Sequence, residues 1–350
     1  MKQVKLGQSG LEVTNVCLGT MTWGSQNSQQ DADAQIEYAL SEGINFIDTA
    51  EMYAVPPSPE TYGKTETMIG NWLSKNSHRR SEFILASKIA GNGLPWIRNG
   101  EDITGEAIIK SVDDSLKRLQ TDYIDLYQLH WPNRTSPHFS KHHVGMVKFS
   151  DVDAAEHSNQ MLEILQALDS CIKAGKIRHF GLSDDTTWGI NEYLRLSEKH
   201  ALPRAASIQN EFSLLHTKDW PYLVENCVHE EVAYLPWSPL GGGVLSGKYI
   251  DGARPAGSRW SKVQRNGLFR DSEMANSAVK RYAEVARKND LTPSQLALAW
   301  CAQVDGVTST IIGATSTAQL KEDIDAFDIT LSDDLLNDIN ILLQQYPMPF

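Results

Sequence analysis

The chain has 350 residues, 41% of them hydrophobic, and a net charge of −12, which suits one large α/β domain as well as two ordinary ones. The acidic balance and the lack of a long basic block argue against nucleic acid or an anionic membrane as partner, and no apolar run reaches membrane-spanning length. The polar start MKQVKLGQSG does not read as a signal peptide, and Cys17, Cys171, Cys227 and Cys301 lie far apart with no CxxC pair, as expected of buried thiols in a reducing, cytoplasmic compartment.

In chain order, VKLGQSGLEVTNV (4–16) reads as a small hairpin with Ser9-Gly10 at its turn. Short apolar runs with strand character then recur: VCLG (16–19), NFID (45–48), FILASK (83–88), DLYQLH (125–130), IRHFGLS (177–183), ASIQN (206–210), AYLPWS (233–238) and STIIG (309–313). Helical patterns separate them, among them DADAQIEYALSEG, TETMIGNWLSKN, ITGEAIIKSVDDSLKRL, SNQMLEILQALDSCIKAGK and TTWGINEYLRLSEKH, with apolar residues at three- and four-residue spacing. Eight strands alternating with helices predict a parallel sheet, and eight is the number that closes a (β/α)8 TIM barrel. A doubly wound sheet is the competing architecture, but it usually carries GxGxxG after its first strand, where this chain has LGTMTWG. One barrel domain over 1–350 is expected. Residues 131–158 after the fourth strand and 239–271 after the seventh are too long for simple connections. They follow strand carboxyl ends, where barrel enzymes build their sites. The tail (328–350) adds a helix, SDDLLNDINILLQQY, and ends in PMPF.

The polar residues that close the strands are Asp48, Lys88, His130, Ser183 with Asp184, Gln209 with Asn210, and Trp237 with Ser238. Any one of them has an ordinary structural explanation, such as a helix cap or a snorkelling cation. In a barrel, all converge on one mouth.

FIDTAEMY followed by GKTETMIGNWL, ILASK, DLYQLHWP, IRHFGLSD, IQNEFSLL, YLPWSPLGGGVLSGKY and IIGATSTAQL resembles the aldo-keto reductases, in order and over essentially the whole chain. The resemblance is closest to the branch that holds the potassium-channel β subunits. It implies a catalytic tetrad of Asp48, Tyr53, Lys88 and His130. Carbonyl reduction needs a hydride on carbon and a proton on oxygen. A free phenol, with a pKa of about 10, is too weak an acid near neutrality without help. On this reading the Lys88 ammonium lowers the Tyr53 pKa, Asp48 holds Lys88 charged and in place, and His130 bonds the substrate oxygen.

The same resemblance implies NADP(H). Ser183, Asp184 and Gln209 would hold the nicotinamide carboxamide, and Trp237 would lie against the ring. Gly19, Thr20 and Met21 are further cofactor candidates beside it. Ser238, Pro239, Leu240, Gly241 and Gly243, in WSPLGGGVLSGK, would wrap the pyrophosphate with backbone N–H groups. Lys248 and Arg259 would bind phosphate, Arg259 the 2′-phosphate. Gly313, Thr315, Gln319 and Asp323 would complete the adenosine end, near a helix N-terminus. Asp184 and Asp323 stand where relatives commonly have Asn, and Gln319 where some have Arg, so the preference for NADP over NAD rests on Lys248 and Arg259.

Other signals are weaker. GGVLSGKY misses a P-loop because Tyr249 replaces the magnesium-binding hydroxyl. HFSKHH (138–143) offers three imidazoles without a Cys or carboxylate at ligand spacing, so a solvated or substrate-facing loop is expected and no metal. Trp23, Tyr53, Trp96, Trp131 and Trp237 are candidates to ring the mouth, with Trp23 and Trp131 as substrate contacts. The expected activity is reduction of small-molecule aldehydes or ketones, with homo-oligomerisation open. The alternative is a cofactor-sensing binding subunit with little turnover, and a metal-dependent barrel hydrolase is a third possibility.

Overall fold

The computed structural model describes residues 1–261 and 268–350. The chain opens with an antiparallel hairpin, β1 (Gln3–Lys5) and β2 (Glu12–Thr14). A parallel sheet follows, built from β3 (Val16–Gly19), β4 (Phe46–Asp48), β5 (Ile84–Ile89), β6 (Ile124–Leu129), β7 (Ile177–Ser183), β8 (Ala205–Glu211), β9 (Ala233–Trp237) and β10 (Thr310–Ile312). Its order is β10-β3-β4-β5-β6-β7-β8-β9. A parallel bridge between Tyr234 and Val307, with Thr308 N donating to Tyr234 O at 2.9 Å, brings β9 to the approach of β10 and closes the ring. The fold is the expected (β/α)8 barrel.

Small and branched inward residues fill the barrel: Cys17, Phe46, Ala86, Leu126, Ala206, Ala233, Leu235 and Ile311 form one buried cluster with Leu6 and Val13 of the hairpin. The hairpin therefore plugs the end opposite the site, since Gly7 packs against backbone atoms of Ala206, Glu231 and Ala233, where β8 and β9 begin.

The expected helices form as α1 (Gln29–Ser41), α2 (Lys64–Lys75), α3 (Gly105–Leu119), α4 (Ala154–Lys173) and α5 (Thr187–His200). Helix starts follow local chemistry: Ser28 and Asp31 make a capping box on α1, and Thr104 and Thr186 cap α3 and α5. Beyond them lie α6 (Tyr222–His229), α7 (Glu273–Lys288), α8 (Pro293–Gln303), α9 (Thr317–Asp325) and the tail helix α10 (Asp333–Gln345). Helices α7 and α8 were not read from the sequence, although Thr292-Pro293 with Gln295 is a capping box with proline at the first helical position. The 239–271 connection is mostly short 3₁₀ turns, and its residues 262–267 lie outside the described part. Among the described residues no helix is long and apolar enough to cross a membrane. All four cysteines are buried and unpaired.

Candidate active site

Parallel register brings the strand-closing residues to one end. Asp48 is the last residue of β4, Lys88 lies one before the end of β5, and His130 follows β6. Lys88 is fully buried. Its ammonium donates to Asp48 Oδ2 at 2.5 Å and to Thr49 O at 2.9 Å, and lies 5.0 Å from the centroid of the Tyr53 ring. The imidazole of His130 meets that ring edge-on at 5.6 Å. Four side chains from three strand ends and one loop thus meet in a single cluster.

Burial and charge set their protonation. Burial pulls the Lys88 ammonium down, but Asp48 and Tyr53 outweigh it and leave its pKa above the ordinary lysine value. Burial and the Lys88 charge push His130 well below the usual range, so its imidazole is neutral at pH 7. Tyr53 departs from the sequence expectation: burial raises its pKa, and the opposing effect of Lys88 is too small to bring it below 10. The phenol is therefore fully protonated near neutrality.

Two residues of this centre, Gln128 and Glu51, were not singled out from the sequence, and Gln209 takes a part beyond the cofactor contact expected of it. Gln128 and Gln209 both donate to Asp48 Oδ1, at 3.0 and 2.9 Å, and Gln209 also donates to Gln128 Oε1 at 3.0 Å. Gln128 was legible in principle, because it sits two positions before His130 and so on the same face of the strand. Glu51 lies inside FIDTAEMY itself. Its carboxylate accepts from Ala90 N at 2.6 Å and Ser111 Oγ at 2.5 Å, and pairs with Arg98 at 2.8 Å. Its own N–H donates to Lys88 O at 3.1 Å. Glu51 thereby fastens the loop that carries Tyr53 to the strand that carries Lys88.

The neighbouring wall comes from β7, β8 and β9. Ser183 and Asp184 are buried, and the Trp237 indole donates to Asp184 Oδ1 at 3.3 Å. Burial raises the Asp184 pKa well above the usual carboxylate range, against the opposing charge of Lys218, and so favours its protonated form. Gln209, expected to bind a carboxamide, has its amide N–H groups engaged with Asp48 and Gln128 as described. HFSKHH is not a solvated loop throughout: His138 is buried, its Nε2 3.2 Å from Asp185 O and its Nδ1 3.0 Å from Lys218 Nζ. His142 is half-buried with its Nε2 on Phe350 O at 2.9 Å, while His143 is exposed. Among the described residues no group of three or more His, Cys, Asp or Glu is arranged to hold a metal ion.

After β9, Ser238 and the three glycines 241–243 adopt left-handed φ of 54°, 57°, 70° and 97°. A Cβ on Gly242 would lie 3.1 Å from Arg259 Nη1, and one on Gly243 3.0 Å from Lys248 Nζ. Glycine here lets bare backbone approach two cations, a cradle suited to an anion. Arg259 is half-buried, and burial and the neighbouring Arg270 charge hold its pKa below the ordinary arginine value. Arg270 is neutralised by Glu211, whereas no carboxylate among the described residues pairs with Arg259. Pro239 is buried and Leu240 half-buried beneath this loop.

At the far end Thr315 donates from N and Oγ1 to Gln319 Oε1 at 3.0 and 2.9 Å, both residues being exposed beside exposed Gly313. Asp323 is buried, and burial with the Glu322 charge pushes its pKa up to about 7 against Lys248. Gly19 and half-buried Met21 flank Thr20, whose hydroxyl is engaged with Asp48 O at 2.8 Å.

Of the two expected substrate contacts, Trp131 is half-buried, its ring 5.1 Å from His130 and its Nε1 donating to Asn92 O at 3.1 Å. Trp23 is corrected. It is fully buried, its indole donates to Gln35 of α1 at 3.3 Å, and its carbonyl accepts from Thr65 at 2.7 Å, so it packs under the first helices rather than at the mouth.

A parallel barrel that gathers buried Tyr53, Lys88, Asp48 and His130 at the carboxyl ends of its strands has the layout of a barrel oxidoreductase. The chain belongs to the aldo/keto reductase family, whose family model matches residues 15–344. It is 44% identical to Protein tas of Escherichia coli (strain K12) over 352 residues, covering 100% of this chain and 99% of that protein. Protein tas of Shigella flexneri matches to the same extent. An oxidoreductase of Bacillus subtilis (strain 168) described as uncharacterized, YrpG, is 28% identical over 97% of this chain and 95% of its own length.

Proposed function

We propose that the protein is an NADP(H)-dependent oxidoreductase that reduces aldehydes or ketones to alcohols, with Tyr53 as proton donor. The observation that carries this reading is the buried Lys88 ammonium, held by Asp48 at 2.5 Å and facing the Tyr53 ring at 5.0 Å. Bound NADPH supplies the hydride. Tyr53, kept protonated by burial, gives its proton to the carbonyl oxygen as charge develops there. Lys88 then stabilises the tyrosinate, and the two glutamines with Asp48 keep Lys88 from moving to meet it. His130, neutral, donates a hydrogen bond to the same oxygen without competing as an acid.

The cofactor fits the residues present. The glycine cradle with Arg259 and Lys248 would take the phosphates, and Thr315, Gln319 and Asp323 the adenosine. Trp237 would border the nicotinamide. At Asp184, which replaces the common Asn, burial raises the pKa and favours the protonated carboxyl. A protonated carboxyl presents one donor and one acceptor, as an amide does, so it can serve the carboxamide in the same way with Ser183.

The test is NADPH oxidation, followed by absorbance, over a panel of aldehydes and ketones. Turnover that depends on Tyr53 supports the reading. Tight NADPH binding with no oxidation above background for any carbonyl would replace it with a cofactor-binding role.

A further inference from the structure

The loop that leaves β5 sends one side chain back to the strand it came from. Gly93 N donates to Gly100 O at 3.0 Å and closes a turn. Within that turn Arg98 and Asn99 take left-handed φ of 47° and 55°, uncommon without glycine and kept where the surroundings impose it. The Arg98 side chain is 18% exposed, and its guanidinium forks: Nη1 lies 2.8 Å from Glu51 Oε1, and Nη2 donates to Ala90 O at 2.6 Å. Glu51 Oε1 accepts from Ala90 N at 2.6 Å. Both backbone groups of Ala90, one residue past the end of β5, are therefore held by one ion pair.

Ala90 is two residues beyond Lys88, and the same short segment ties the strand on the near side. Thr49 N donates to Ala86 O at 2.9 Å, and Glu51 N to Lys88 O at 3.1 Å. Residues 86, 88 and 90 are thus fastened in turn to the stretch 49–51, and Tyr53 follows two positions later. The first two ties are backbone to backbone. The third is made by side chains, and Arg98 completes it. We propose that Arg98 is a positioning residue: by pairing with Glu51 and bonding Ala90 it fixes the end of β5, and with it the placement of the Lys88 ammonium against Tyr53. The inference rests on the reading of Tyr53 as proton donor. A lysine at position 98 would keep the charge, but one ammonium cannot fork to a carboxylate and a carbonyl as a guanidinium does.

Arg98→Ala and Arg98→Lys in the full-length protein test this. Each is loaded with one equivalent of NADPH and mixed with saturating benzaldehyde for a single turnover. The amplitude counts the competent molecules, and the rate constant reports the chemistry within them. A catalytic group displaced by an ångström can lose about 10²-fold in rate. Arg98→Ala should therefore lower the rate constant by about ten- to a hundred-fold at full amplitude, with Arg98→Lys between. NADPH affinity should stay within about twofold. A rate constant within about twofold of wild type overturns the proposal even where the amplitude falls, because only folding would then be affected. If Arg98→Ala does not fold, Arg98→Lys decides by the same criterion. If the wild type reduces no benzaldehyde and no other carbonyl, the proposed activity fails, and hydrogen exchange over residues 84–91 decides instead. Faster exchange in the Arg98 variants then upholds the hold on β5, and unchanged exchange overturns it.

Discussion

At the ends of β4 and β5 the buried charges are paired: Lys88 with Asp48, and Glu51 with Arg98 and with donors from Ala90, Ser111 and Tyr62. Across the mouth, beyond β9, Arg259 and Lys248 face bare glycine backbone with no carboxylate bonded to either among the described residues. Two buried charges cost desolvation that their attraction repays only when geometry is good, so a paired, fully satisfied group serves to hold position. A partly buried cation without a partner is in the opposite state, and an anionic ligand would relieve it. The contrast is sharpest between adjacent arginines, since Arg270 is spent on Glu211 and Arg259 is not. One side of the mouth holds its charges paired, and the other leaves two cations without a carboxylate partner among the described residues.

The largest expected effect tests what the paired side holds. Tyr53→Phe keeps the ring and removes the hydroxyl, so NADPH binding should stay nearly intact. A positioned acid contributes about 10²–10⁴-fold, and carbonyl reduction should fall by that order in single-turnover assays. Near-normal turnover would make FIDTAEMY a packing motif.

Lys88→Met should break the paired side itself. It removes the charge that stabilises tyrosinate and leaves Asp48 buried without its cation, which typically costs about 3–5 kcal/mol. Urea unfolding should show that loss together with an activity loss nearly as deep as that of Tyr53→Phe. Asp48→Asn should be milder in turnover, because the ammonium remains. If Lys88→Met kept full stability, the pair would not be the anchor described.

How much of this contrast was legible in the sequence depends on how local each feature is. Strand order and the positions of Asp48, Lys88 and His130 follow from apolar runs that end in a polar residue, a pattern of adjacent residues. Glu51 was visible in the motif but its role was not, because its partners Ala90, Arg98 and Ser111 lie 39 to 60 positions away along the chain. Trp23 was misplaced for the converse reason: an aromatic just past a strand end can face the mouth or turn under the first helix, and only Gln35 and Thr65 decide it. The Tyr53 shift was misjudged because one neighbouring charge is readable from a motif, whereas burial is a property of the whole fold.

The unpaired side makes a smaller prediction. A charge-assisted phosphate contact is worth about 1.5–3 kcal/mol, or roughly ten- to a hundred-fold in affinity. Arg259→Ala should therefore weaken NADPH by that factor and NADH much less, measured by fluorescence titration. Equal losses would show that Arg259 does not read the 2′-phosphate.

The smallest effect separates the two sides by pH. Asp323 is a carboxylate on the receiving side, and burial with the Glu322 charge places its pKa at about 7 in opposition to Lys248. Below that value it is neutral and leaves the field of Lys248 and Arg259 to the ligand. Above it, the carboxylate competes for Lys248 and repels phosphate. A bound dinucleotide phosphate would raise the Asp323 pKa further, so binding should take up protons, and NADPH affinity should fall as pH rises from 6 to 8. At the separation of a neighbouring charge near the protein surface such a repulsion is on the order of 1 kcal/mol, about fivefold. Asp323→Asn should flatten the profile and match the wild type at the acid end, while ionisation of the 2′-phosphate itself, near pH 6, is common to both proteins. Superimposable profiles for wild type and Asp323→Asn would place Asp323 outside the reach of the ligand and leave Arg259 and Lys248 as the charges that define that side.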